Sequence, residues 1–381
     1  MVRKFPLFDI YWDENDIKKL TNVIKRGSYW AVGPEIEEFE ENLASYLDKK
    51  YVVTFNSGTS ALHAALLAYN ITGGEVIVPS LSFISTANCV ILAGSKPVFA
   101  EIEEDTLGLD PEDVKEKINK NTKAIIPMHY GGKVCNHIEE LVEIADDNNL
   151  ILIEDAAESF GAKSDNKFAG TFGEAGMFSF CQNKIITTGE GGAICTEDAD
   201  IFAKLKLIRS HGRVDKEDID FFSNIDESEY IEIGYNYRMP AMCAALGISQ
   251  LQKVEDIIHL RRKIGQFYDQ NLINSQHIEI IPEIKGQRTV YQLYSIFLKN
   301  PEVRKNLQNY LLENQIYTKV YFHPIHLKKF YRENFNFDKG HLPITEKISR
   351  KLLSLPLSFN FTQEEQMHII QTIESFFDRQ N

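Results

Sequence analysis

Across residues 51–208 of this 381-residue chain, short apolar runs rich in β-branched residues alternate with helical stretches. That rhythm constrains the fold more than any other feature, because strands separated by helices pair most readily in parallel, through crossover connections. It predicts an α/β architecture with strands at Tyr51 to Phe55, Glu75 to Pro79, Pro97 to Ala100, Lys123 to Met128, Leu150 to Glu154, Gly176 to Phe180 and Ala193 to Cys195. Several of these runs show no polar alternation, as expected of strands covered by helices on both faces. Helices are predicted at Ser60 to Leu67, Ser85 to Ala93, Pro111 to Ile118, Ile138 to Asn148 and Ala199 to Ile208. Pro111 after Asp110 reads as a helix start, an acidic N-cap followed by proline at the first helical position.

The rhythm fails from Arg213 to Ile231, where KEDIDFFSNIDESEY is acidic, aromatic and aperiodic. A long functional or mobile loop is the expectation there. Beyond it, Leu251, Val254, Ile257, Ile258 and Arg261 fit a helix that buries one stripe and connects two domains. A smaller α+β region follows, with strands expected at His277 to Ile281, Val290 to Leu298 and Ile316 to Tyr321. Met367, Ile370, Ile373 and Phe377 give a closing amphipathic helix. The length suits two domains: residues 1–250 as the large α/β domain, N-terminal segment included, and residues 251–381 as the small one.

Lys and Arg total 41 against 55 Asp and Glu, a net charge of −14, which argues against nucleic acid or anionic lipid as a partner. No apolar run approaches the roughly 18 residues needed to span a bilayer. The opening MVRKFPLFDIYWDEND breaks at Pro6, Asp9 and Asp13 before a signal-peptide apolar region forms. Five scattered cysteines without CxxC spacing read as reduced thiols of a cytoplasmic protein. No GxxxxGK[ST] occurs, and GEGG is not GxGxxG, so no conventional nucleotide motif is present.

In a parallel sheet, ligands bind beyond the carboxyl ends of the strands, and four polar clusters follow strands here. In NSGTSALHAAL (Asn56 to Leu66), Gly58 permits a tight turn and Ser57, Thr59 and Ser60 open a helix, a cradle for phosphate or an ordinary cap. LILIEDAAESFGA (Leu150 to Ala162) ends a buried run in Glu154, Asp155 and Glu158. Carboxylates at that point need a cation or a strong donor unless water reaches them. In GMFSFCQNKIITTGEGGAICT (Gly176 to Thr196), Ser179 and Lys184 precede a glycine-rich turn. A lysine drawn into a dry pocket there is fit for Schiff-base chemistry, although most lysines are surface residues. In VPSLSFISTAN (Val78 to Asn88), Phe83 either packs in a core or covers a flat ring. Each has a structural explanation alone; together they are the parts that hold pyridoxal phosphate.

With these segments the chain resembles the sugar aminotransferases of the DegT/DnrJ/EryC1/StrS type, which adopt the fold type I pyridoxal-phosphate architecture. The resemblance begins at GPEIEEFE (Gly33 to Glu40) and runs through NSGTSALH, VPSLSF, PVFAEI, EDAAESFGA, FSFCQNKIITTGEGGAI, GYNYRM (Gly234 to Met239) and LPLS (Leu355 to Ser358). It implies a large domain with a mostly parallel seven-stranded sheet and a smaller C-terminal domain. By position, Lys184 would form the Schiff base and shuttle protons, Asp155 would pair with the pyridinium nitrogen, Phe83 would stack on the ring and Glu158 would lie near its hydroxyl. Gly58, Thr59, Ser60 and Ser179 would bind the phosphate. Asn236 would reach it from the neighbouring subunit, which makes the active unit a homodimer.

The same resemblance suggests Arg238 at the subunit interface or on the amino donor's carboxylate, with a structural salt bridge as an equal reading. YFHPIHL (Tyr321 to Leu327) would border the substrate, with His326 the residue of interest. His323 departs from the family pattern, and two histidines around a proline do not make a metal site. The implied activity moves an amino group from L-glutamate, released as 2-oxoglutarate, to a keto-deoxy sugar carried on a nucleoside diphosphate, for amino-sugar or surface-polysaccharide biosynthesis. A cyclitol or amino-benzoate aminotransferase shares every cofactor residue. A sugar dehydratase of this fold carries His at the lysine position, and a cofactor-binding regulator without turnover is expected to lack Lys184 or Asp155. Both residues are present.

Overall fold

The computed structural model describes residues 4–214 and 229–379. Residues 215–228 of the acidic stretch lie outside the described residues. The seven strands predicted in the first region join one sheet, in the order Tyr51–Phe55, Gly192–Thr196, Ala175–Ser179, Ile151–Asp155, Thr122–Ile125, Glu75–Pro79, Lys96–Ala100. From Ala175–Ser179 to Lys96–Ala100 neighbouring strands are parallel. Gly192–Thr196 runs antiparallel to both of its neighbours.

Successive side chains on a strand point to opposite faces, and here each face has its own core. Leu152 and Phe178 pack with Phe39 and Phe160 on one side, whereas Ile153 and Met177 pack with Leu62 and Val90 on the other. Fully burying such a side chain contributes about 1.5–3 kcal/mol, so neither face tolerates polar alternation. The same geometry decides where the polar strand end points: Glu154 continues the Leu152 face and Asp155 the Ile153 face.

The five predicted helices form close to their expected bounds. Asp110 accepts the amide of Glu112 at 3.0 Å and caps Pro111–Lys117. Helix Gly58–Ala68 is buried almost all round. Its first turn lies so near the sheet that a Cβ on Gly192 would come 2.6 Å from Gly58 N.

The second sheet is antiparallel, in the order Ile278–Ile280, Tyr294–Leu298, Leu352–Leu355. Ile316 to Tyr321 is not its third strand, contrary to the sequence expectation. That segment makes isolated bridges to two partners, Ile316 with Phe5 and Lys319 with Ser354, and divides its backbone between them. Leu352–Leu355 follows helix Pro343–Lys351 with no turn signal between them, so periodicity alone merges the two.

Helix Val254–Leu272 serves both regions, with Val254, Ile257 and Ile258 in the large-sheet core and Ile264, Tyr268 and Leu272 in the small-sheet core. The start of the chain joins the small-sheet core: Phe5 packs there and Phe8 bridges to Leu357. Among the described residues, no helix is long and apolar enough to cross a membrane.

Candidate active site

Phe55 and Ser179 both pair with Gly192, and Asp155 pairs with Met177. The ends of three strands therefore lie side by side at one edge of the sheet. Above them opens helix Gly58–Ala68, whose N-cap Ser57 accepts the amide of Ser60 at 3.1 Å and lies 2.9 Å from the Ser60 hydroxyl. A Cβ on Gly58 would meet Ser179 Cβ at 3.1 Å and Met177 Sδ at 3.2 Å. Gly58 and Ser179 thus touch, with Thr59 and Ser60 in the same turn, where helix-terminal amides favour an anion. Next to this turn the buried Oδ1 of Asn56 has no hydrogen-bond partner among the described residues, while its Nδ2 donates to Asn236 O at 3.3 Å. The Asn236 residue is exposed, and Arg238 donates to Ser210 Oγ at 3.2 Å.

Asp155 is 3% exposed. Its Oδ2 accepts from Thr86 Oγ1 at 2.7 Å and its Oδ1 from the Ala157 amide at 3.2 Å. Burial pushes this carboxyl above its ordinary value, opposed by those two donors and by the charge of Lys184. Glu158 is buried as well and accepts the Gly131 amide at 3.0 Å. Burial raises its carboxyl too, against the pull of Lys184.

Lys184 Nζ lies 3.7 Å from Glu158 Oε1, on a side chain only 13% exposed. Its loop is pinned at the base: the Phe180 amide donates to Gly191 O, and the Thr188 amide donates to Phe180 O, both at 2.9 Å. Gly189, at φ +84°, makes the turn that Thr187 Oγ1 caps at 2.9 Å. The second domain holds the loop from outside, because Gln292 Nε2 donates to Asn183 O at 2.5 Å. Lys184, Asp155 and Glu158 therefore form one buried cluster.

Glu154, adjacent in sequence, points away from the cluster. Its Oε2 accepts from His129 Nε2 at 2.7 Å and Gly170 N at 2.8 Å, and its Oε1 from Phe172 N at 2.5 Å and Gly173 N at 2.8 Å. Phe83 is 58% exposed, with its ring 6.2 Å from that of Phe322 in the Tyr321–Leu327 segment. The structure does not bring His326 to the surface of the site. His326 has no exposed area; its Nδ1 is 2.7 Å from Ser80 Oγ and its Nε2 is 3.3 Å from Glu346 Oε1. Both ring nitrogens are used in holding helix Pro343–Lys351 against the large domain, which corrects the expectation that His326 faces substrate.

Two residues in this arrangement are absent from the sequence expectations. Thr86 lies in the polar helix start Ser85 to Asn88, four residues after another hydroxyl, Ser82, and nothing in the sequence singles it out; Gln292 interrupts the apolar run from Val290, and that interruption is the signal that points to it. Among the described residues, no group of three or more His, Cys, Asp or Glu is placed to hold a metal ion.

A mostly parallel sheet whose strand ends gather a half-dry lysine, two buried carboxylates and a helix N-terminus has the parts for amine chemistry beside an anion-binding turn. The model of the DegT/DnrJ/EryC1/StrS aminotransferase family matches residues 11–374, and the chain belongs to that family. It is 35% identical over 364 residues to the GDP-perosamine synthase of Escherichia coli O157:H7, covering 95% of this chain and 94% of that protein. Identity to the Vibrio cholerae GDP-perosamine synthase is 34% over 376 residues, covering 98% and 99%. The structure of Helicobacter pylori PseC, an aminotransferase involved in the biosynthesis of pseudoaminic acid, superimposes with a TM-score of 0.91 at 30% identity, covering 99% of this chain and all of that one. The fold is that of the pyridoxal-phosphate-dependent sugar aminotransferases, and the chain is an enzyme of that class.

Proposed function

We propose that the protein transfers an amino group from L-glutamate to the keto carbon of a deoxy sugar linked to a nucleoside diphosphate, with pyridoxal phosphate as cofactor and a homodimer as the active unit. The observation that carries this reading is the Lys184–Glu158–Asp155 cluster at the strand ends. The relatives named above act in nucleotide-sugar and amino-sugar biosynthesis, and cytoplasmic amino-sugar synthesis suits the charge and cysteine pattern of the chain.

Two features of the site fit the cofactor. Asp155 is a buried carboxylate with only two donors, although an ionised carboxylate offers about four lone-pair sites, so a protonated ring nitrogen would supply what burial leaves unmet. The helix N-terminus closed by Gly58 and Ser179 suits a phosphate group, whose oxygens accept from helix-terminal amides. Pyridoxal phosphate, when bound, supplies a ring that withdraws electrons and so lets a proton leave the carbon beside the amine.

Around it the chain's own residues divide the work. Asp155 would hold the ring nitrogen's proton by its charge. Gly58, Thr59, Ser60 and Ser179 would bind the phosphate, joined by Asn236 from the partner subunit, and Phe83 would cover the ring. Glu158 orients the Lys184 amine, which takes the proton from the donor's α-carbon and returns it one position along, help worth roughly 10²–10⁴ in rate. Arg238 would act at the subunit interface or on the donor's carboxylate.

The test is the visible spectrum of the protein with pyridoxal phosphate, before and after L-glutamate, for wild type and Lys184→Ala. Wild type should show the covalent lysine–cofactor band and lose it on adding glutamate, and the variant should show no such band. Full transamination by the variant would reject the assignment.

A further inference from the structure

Behind Asp155 the hydrogen bonds continue away from the site. Asp155 Oδ2 accepts from Thr86 Oγ1 at 2.7 Å, and Thr86 Oγ1 lies 2.7 Å from Ser82 Oγ. An ionised carboxylate only accepts, so Thr86 gives its proton to Asp155, and Ser82 must then give its own to Thr86. The direction of the chain is fixed by chemistry. Thr86 has no exposed area and Ser82 only 2%, so water does not substitute for either hydroxyl. In surroundings this dry, hydrogen bonds in series polarise one another and hold charge more strongly than in water.

The relay is built into the same turn as the residue expected to cover the ring. Phe83 lies between the two hydroxyls, and its carbonyl accepts the Thr86 amide at 3.2 Å. The placement of Thr86 and that of Phe83 are set by one piece of backbone. We propose that Ser82 and Thr86 are positioning residues, a two-hydroxyl relay that keeps Asp155 ionised and aimed at the ring nitrogen. The proposal rests on the cofactor reading above and extends it to residues that touch neither cofactor nor substrate.

Other groups also act on Asp155. Lys184 on the glycine-turn loop favours its charge, and His129 lies after the neighbouring strand with its Nδ1 accepting the Cys135 amide. Glu158, in the turn after its own strand, and Cys89, on the helix that carries Thr86, are coupled to it with the opposite sense. Among the described residues, none of these four groups hydrogen-bonds its carboxylate oxygens, whereas Thr86 does at 2.7 Å.

The experiment measures the dissociation constant of pyridoxamine 5′-phosphate across pH 5–9, by fluorescence titration of protein stripped of cofactor. This probe forms no covalent bond to Lys184, so it reads the ring-nitrogen contact apart from Schiff-base formation. Thr86→Val keeps the shape and removes the donor. It should weaken binding at least about tenfold at neutral pH, the effect of losing one hydrogen bond to a charged group, and move the acid limb of the affinity profile to higher pH. Thr86→Ser should restore both within about threefold, and Ser82→Ala should shift the acid limb the same way by less.

A Thr86→Val profile that overlays wild type overturns the relay. So does a uniform loss of affinity with no shift of the acid limb, which marks a merely structural role. If Thr86→Val does not fold, Ser82→Ala decides: an unshifted acid limb overturns the proposal. Wild-type protein that binds neither pyridoxal phosphate nor pyridoxamine phosphate would sink the function itself, and the relay with it, whereas normal wild-type binding beside an unaltered Thr86→Val sinks the relay alone.

Discussion

Glu154→Gln tests whether the buried strand end is structural on one face and chemical on the other. Each Glu154 oxygen accepts two hydrogen bonds, Oε2 from His129 Nε2 and Gly170 N, and Oε1 from Phe172 N and Gly173 N. Glutamine has one carbonyl oxygen. Whichever way its amide turns, the NH₂ end faces two buried N–H donors. His129 cannot relieve the conflict by moving its proton, because its Nδ1 already accepts the Cys135 amide at 3.0 Å. An unsatisfied buried donor costs about 1–3 kcal/mol, so two cost about 2–6 kcal/mol. At about 2–4 °C per kcal/mol for a large domain, the apparent unfolding temperature should fall by at least ~4 °C. The assay is thermal unfolding of cofactor-free protein at one scan rate, with Asp155→Asn alongside. A drop below about 2 °C would refute this accounting and mean that the Gly170–Gly173 turn does not depend on a charged acceptor.

Two further outcomes follow from the same strand end. Asp155→Asn keeps an acceptor for the Thr86 hydroxyl but turns its NH₂ toward the Ala157 amide, so the protein should still fold, at a cost of no more than about 1–3 kcal/mol, yet lose about 10²-fold or more in turnover, the usual effect of removing one preorganised electrostatic partner; steady-state kinetics on an identified keto sugar check it, and near-normal turnover would reject the role of Asp155. In cofactor-free protein, burial raises the carboxyls of Asp155 and Glu158 above their ordinary values of 3.8 and 4.5. The folded state then holds protons that the unfolded state has released, and stability falls as pH rises from those ordinary values through the raised ones. Unfolding temperatures measured upward from pH 4 should show a steeper decline for wild type than for the Asp155→Asn, Glu158→Gln pair, and equal slopes would contradict it.

Much of this was legible in the sequence because burial on both faces writes itself as unbroken apolar runs. The seven large-sheet strands follow from that rule, and Lys184, Asp155 and Glu158 stand out because polar residues end such runs. What escaped the sequence depends on contacts between distant segments. His326 drew attention because its segment, Tyr321 to Leu327, resembles one that borders the substrate, yet its partners are Ser80, 246 positions away, and Glu346. Ile316 to Tyr321 has strand composition, but composition does not reveal that its two ends pair with different parts of the chain. Glu154 and Asp155 differ by one position and one face, and the two-residue period separates their roles only once the faces are known.

The division expected near residue 250 does not follow the two cores, since Phe5 packs in the small-sheet core and Val254, Ile257 and Ile258 in the large-sheet core, and it does not separate the site from the C-terminal region. Gln292 holds the carbonyl next to Lys184, and Gln292 is itself fixed by Arg261, whose Nη2 donates to its carbonyl at 3.0 Å while Nε donates to Tyr291 O at 3.0 Å. Among the described residues no carboxylate hydrogen-bonds the buried Arg261, and burial lowers its pKa to about 10; two backbone carbonyls and the face of Phe359 at 5.4 Å take the place of an anion. In the opposite direction Glu101, at the end of a large-sheet strand, accepts from Ile344 N and Thr345 N at 2.9 Å each and so caps helix Pro343–Lys351. An ionised carboxylate at a helix N-terminus is stabilised by the helix as it stabilises it. Each domain thus fixes an element of the other, and a shift between them would move the backbone beside Lys184 and the segment around Phe322 together. The loop that carries Lys184 is thus held in part from the C-terminal region, although Lys184, Asp155 and Glu158 all precede it in the chain.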